Sequence, residues 1–115
     1  MSRINTVVAS SLLLIAGVVG SSRAAEPGAV YAVNAAALAT VMTYCSTRHA
    51  GLAVGSAGAR CLESGRGLLA DAGLAQRSEA IAQACNDPAT YNRCMTPHIG
   101  RLVYDLNDLL KQRGL

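Results

Sequence analysis

Apolar positions are arranged in two ways along this chain. From residue 7 to residue 20 they run together, broken only by Ser10, Ser11 and Gly17. Beyond residue 30 they recur at helical spacing instead. Leu38, Val41, Met42 and Cys45 fall at i, i+3, i+4 and i+7, one face of a helix predicted over 30–49 and ended by Ala50-Gly51. After a small-residue loop, Ser56 is placed to cap a second helix. Its stripe is Cys61, Leu62, Gly65, Leu68, Leu69 and Ala72. Gly58, Gly65 and Gly67 each cost that helix about 1 kcal/mol against alanine, unless a packed face needs the close approach that glycine allows. Gly73 stops it, and a third helix over 74–85 carries Leu74, Ser78, Ile81 and Cys85 on one face.

Asn86-Asp87-Pro88 is a boundary, with Asp87 as N-cap and Pro88 at the first helical position. One or two turns then carry Tyr91 and Cys94, and Thr96-Pro97 opens or kinks the last helix. That helix has the strongest pattern. Ile99, Leu102, Val103, Leu106, Leu109 and Leu110 form the apolar side, and Arg101, Asp105, Asp108, Lys111 and Arg113 the polar one. No strand-like alternation and no long repeat interrupts this sequence of helices.

Short loops imply antiparallel neighbours. If successive helices alternate in direction, Cys45 near the end of the first, Cys61 near the start of the second and Cys85 at the end of the third all come to the same end, with Cys94 just beyond the turn. The expected architecture is therefore all-α: a small antiparallel four- to five-helix bundle, disulfide-stapled at one end, after an N-terminal signal peptide. Four cysteines permit three pairings. Cys45–Cys61 with Cys85–Cys94 is favoured here because each bond would join one helix–loop–helix corner.

The first apolar run changes the picture of location. Arg3 precedes it, and Ser22-Arg23-Ala24 puts small residues where a signal peptidase reads them. The run is about 14 residues, short of the roughly 20 that a spanning helix needs. The chain accordingly divides into a signal peptide, 1–24, and a single small helical domain, 25–115. Removing Arg3 and Arg23 leaves eight basic against seven acidic residues, close to neutral. The remaining bases are scattered and Trp and Phe are absent, which excludes the charge footprint and the stacking platform of a nucleic-acid binder. Four cysteines in an exported chain of this size favour disulfides, since a thin core gains from cross-links.

Candidate chemistry is sparse. Cys45-Ser46-Thr47-Arg48-His49 and Cys94-Met95-Thr96-Pro97-His98 share the pattern C-x-T-x-H. On a helix, thiol and imidazole at i and i+4 face the same way, so two such pairs suit a tetrahedral zinc or copper site made of Cys45, His49, Cys94 and His98. Met42 and Met95 would suit a soft ion. The opposing reading bridges the cysteines and leaves the histidines as ordinary groups at helix ends. No C-x-x-C or C-x-x-C-H is present, and Gly65-Arg66-Gly67 follows no strand. Tyr44 and Tyr91 lie near Cys45 and Cys94 and are expected to cover the disulfides.

With no catalytic constellation and no cofactor motif, the expectation is a non-enzymatic protein, periplasmic or secreted. It would act as a protein-binding, adaptor or inhibitor-like module on another protein of the same exported compartment, with no nucleic acid and no stable membrane anchor after cleavage. The alternative is an extracytoplasmic metal-handling protein using the two C-x-T-x-H pairs.

Overall fold

The computed structural model describes residues 27–115, and the signal peptide assigned to 1–24 lies outside them. Among the described residues the chain is all-helical: α1 (Pro27–His49), α2 (Ala57–Asp71), α3 (Leu74–Ala84), a 3-10 turn (Pro88–Thr90) and α4 (Tyr91–Gln112). Alanine-rich α1 is apolar nearly all round and carries no charge until Arg48. Such a helix belongs in an interior, and the other three helices all pack on it.

The predicted boundaries follow their expected chemistry. Ser56 accepts a hydrogen bond from the Ala59 N–H at 3.1 Å at the start of α2. Asp87 accepts one from Ala89 at 3.0 Å, with Pro88 opening the 3-10 turn. At the end of α1 the Gly51 N–H reaches back to the Ser46 carbonyl at 2.8 Å, around Ala50 in the left-handed region (φ 61°). This is the long-range bond of a Schellman closure, with alanine where glycine is usual.

The expected alternation of direction fails at one joint. Along α1 the pairing descends steadily: Cys61 is bonded to Cys45, a Cβ on Gly65 would meet Val41, and Ser78 donates a hydrogen bond to the Asn34 side chain. Helices α2 and α3 thus run the same way, together spanning α1 from its C-terminal to its N-terminal end. Only Ala72 and Gly73 separate them, and Gly73 takes φ 73°. A single left-handed residue bends the chain without reversing it, so the apolar faces of both helices stay on α1. Helix α4 then returns parallel to α1, bringing Leu115 beside Arg48 and His49.

That topology corrects the placement of the disulfides, which are not at one end. Cys45 and Cys61 pack with Val41 and Leu110 in one apolar cluster. Cys85 packs in another with Ala29, Val33, Ala37, Ile81, Met95, Leu102 and Leu106, against which Cys94 rests. About 24 Å of α1 separates Ala29 from Cys45, at 1.5 Å per residue. The down-running arm takes two helices where one was counted, and this carries Cys85 to the opposite end.

Two further differences matter. The buried stripe of α1 is Ala29, Val33, Ala37, Val41 and Cys45, while Leu38 and Met42 stay exposed. Small residues let three helices approach α1, so the larger side chains turn outward. And α4 is one continuous helix through Pro97. The proline removes a single i→i−4 bond, to the Arg93 carbonyl. Met95, Leu102, Leu106 and Leu110 remain buried in phase on either side of it.

Candidate functional site

Each C-x-T-x-H pair sits at its own corner of the molecule. At the first corner Cys45 is fully buried and bonded to Cys61, itself 4 % exposed. The α1–α2 loop closes tightly over it. A Cβ on the buried Gly58 would overlap the Gly51 carbonyl oxygen, and one on Gly65 would fall 2.5 Å from Val41 Cγ1. These two glycines are therefore the close-approach device that the α2 sequence allowed, whereas Gly67 meets nothing. His49 does not turn towards Cys45. Its Nε2 lies 3.0 Å from the Leu115 carbonyl oxygen, which Arg48 Nε also approaches at 2.9 Å. Since a carbonyl only accepts, Nε2 of His49 carries the proton there.

The second corner is more open. Cys85 ends α3 and is bonded to Cys94 in the first turns of α4. Cys85 is buried, but Cys94 is half-buried and His98 exposed. A ring nitrogen of His98 and the sulfurs of Cys85 and Cys94 all lie within 4.8 Å of one another. Because α4 is unbroken at Pro97, the i, i+4 relation of Cys94 and His98 holds. Tyr44 and Tyr91 are half-buried against the clusters that hold the two disulfides.

The Cys2His2 site is accordingly not formed. Cys45 and His49 stand at one end, Cys94 and His98 at the other, and both cysteines are committed to other sulfurs. Residue spacing gave the second pair, Cys94 and His98, as a local unit but not the first, because His49 is turned to Leu115. What it missed was the third member of the second unit, Cys85, nine positions before Cys94.

The other unassigned feature is the outer side of α1. Tyr31, Leu38 and Met42 are 75 %, 38 % and 40 % exposed, with Ala35 and Ala39 exposed between them. This side passes into a shallow groove of about 320 Å³ against α4, lined by Ala36, Ala39, Thr40, Thr43, Val103 and Asn107. The groove continues past Thr47 to Arg48 and Lys111. The 22 residues of Gly28–His49 are also long and apolar enough to cross a membrane by length and composition, a test that the core helix of a soluble protein passes equally. Arg77 of α3 donates to Asp105 of α4 at 2.8 Å, with Arg101 at 3.2 Å from the same carboxylate. With each side chain of the Arg77–Asp105 pair about one-third exposed, that bridge contributes well under 1 kcal/mol.

Comparison with protein-family models, curated proteins and solved structures finds no match. Two disulfides and an apolar N-terminal helix are compatible with an exported protein.

Proposed function

We propose that this chain is a non-enzymatic binding module of an exported compartment, which docks an amphipathic helix of another protein in the α1–α4 groove. The observation that carries the reading is the character of that groove. It is uncharged from Ala36 to Thr47 and ends against the cations Arg48 and Lys111. An apolar helix with an acidic end fits both features. Small residues along Ala36, Ala39, Thr40 and Thr43 leave room for side chains of the partner to enter. The cross-linked core suits a rigid surface, because a preformed groove loses little entropy on binding. The exposed residues Tyr31, Leu38 and Met42 extend the contact beyond the groove.

A photoreactive side chain at Thr43, compared with one at Ala75 on α3, tests this in the compartment where the protein accumulates. The reading requires a protein adduct specific to position 43. It also requires that the cross-linked segment be apolar with an acidic end. Purified, that partner should bind at least about tenfold more weakly to Ala39→Arg and to Lys111→Glu, a loss of about 1.4 kcal/mol each. An adduct only with lipid, only with a second copy of this chain, or equal at both positions contradicts it.

A further inference from the structure

The open corner carries a second capability. We infer that the Cys85–Cys94 disulfide is the closed state of a redox-gated metal site, whose open state holds a borderline or soft cation such as Zn²⁺ through Cys85, Cys94 and His98. The three ligand atoms already lie within 4.8 Å of one another. Two thiolates bound tetrahedrally at about 2.3 Å from zinc stand roughly 3.8 Å apart. Side-chain rotation at the two cysteines suffices to reach that separation, because their Cα atoms are 5.5 Å apart on two fixed helix ends. His98 reaches the same point from one turn further along α4. Two sulfurs, one imidazole nitrogen and a fourth position open to solvent make a ligand set typical of zinc.

The gate is a balanced exchange. A dithiol reductant attacks the sulfur of the half-buried residue Cys94, and the electron pair of the S–S bond leaves on Cys85. The second thiol of the reductant then displaces Cys94. The products are two protein thiols and the cyclic disulfide of the reductant. Cation binding next releases the two thiol protons. Oxidation reverses the sequence and expels the ion.

Three observations let this corner open without the molecule coming apart. Ile81, Met95 and Leu102 remain packed in the core between α1, α3 and α4. The Arg77–Asp105 pair still joins α3 to α4. And the other disulfide, with sulfurs in residues no more than 4 % exposed, gives an attacking thiol no comparable approach.

The test uses the full chain reduced by a phosphine until alkylation and peptide mass mapping show Cys85 and Cys94 free and Cys45–Cys61 intact. Co²⁺ is then the probe, followed by its thiolate charge-transfer and tetrahedral ligand-field absorption, with Zn²⁺ in competition. The expected result is one ion per chain, displaced by Zn²⁺ and absent from the oxidised protein. Cys94→Ser abolishes the charge-transfer signature of the pair. His98→Ala, a change at an exposed position, weakens affinity at least about tenfold. His49→Ala leaves it unchanged. An unaltered affinity in His98→Ala, no absorption in the reduced protein, equal binding by the oxidised protein, or helix loss on reducing this one bond overturns the inference.

Discussion

The two corners of this molecule begin from the same local sequence, C-x-T-x-H, and finish in different states. At the α1–α2 corner the disulfide is enclosed. Gly58 sets α2 against the Gly51 backbone and Gly65 sets it against the Val41 side chain, Cys45 is fully buried, and His49 is turned away to the Leu115 carbonyl. At the α3–α4 corner a six-residue connection, 85–90, leaves Cys94 half-buried beside an exposed His98. A short motif thus sets only what is near in the helix. Whether the thiol becomes part of a sealed core or of an accessible cluster depends on what the neighbouring helix brings up to it.

Removing each disulfide separates the corners most strongly. Chain entropy alone assigns about 3.1 kcal/mol to the 16-residue separation of Cys45–Cys61 and about 2.6 kcal/mol to the 9-residue separation of Cys85–Cys94. The enclosed pair adds a packing loss of about 1 kcal/mol or more. Denaturant unfolding of Cys45→Ser/Cys61→Ser should therefore show a loss at least about 1 kcal/mol greater than that of Cys85→Ser/Cys94→Ser. Equal losses would mean that the enclosure of the first corner contributes nothing.

The glycines come next. Gly58→Ala forces the Gly51 carbonyl away and should cost about 2–3 kcal/mol, and Gly65→Ala, pressing on Val41 and Leu110, about 1–3 kcal/mol. Gly67→Ala meets open space in the same helix and should instead stabilise by up to about 1 kcal/mol. Thermal melts of the three variants, ranked in that order, check the packing at the α1–α2 corner residue by residue. A gain of similar size is expected at the end of α1. Ala50 holds φ 61°, so Ala50→Gly should raise stability by about 1 kcal/mol. At the opposite corner Asp87→Ala removes one exposed cap bond to Ala89 and should cost about 0.5–1 kcal/mol, measured by the same melts.

Much of this fold is legible from residue pattern. The caps Ser56 and Asp87, the stops at Ala50-Gly51 and Gly73, and the apolar face of α4 all follow from local chemistry that acts within one turn. The favoured disulfide pairing is the one observed, because each bond closes a corner between consecutive elements. Direction was not legible. Gly73 ends α2 in either case, and nothing in Ala72-Gly73 distinguishes a bend from a reversal. That one joint moved Cys85 and Cys94 to the far end of α1. Nor was the rotation of α1 legible, since a helix apolar on every side has no phase to read. Only the approach of three neighbours selects Ala29, Val33 and Ala37 over Leu38 and Met42 for burial. The Cys85–Cys94–His98 trio escaped for a different reason: joining the two C-x-T-x-H pairs to each other leaves Cys85 out, and Pro97 reads as able to break the turn that sets His98 beside Cys94.

The asymmetry of the two corners is tested most directly by graded reduction of the native protein, with alkylation, peptide mass mapping and far-UV circular dichroism at each step. The account predicts that Cys85 and Cys94 take up the first two alkyl groups while helicity is retained, and that Cys45 and Cys61 are labelled only when the helices melt. Labelling of Cys45 and Cys61 first, or of all four together in one unfolding step, would contradict it.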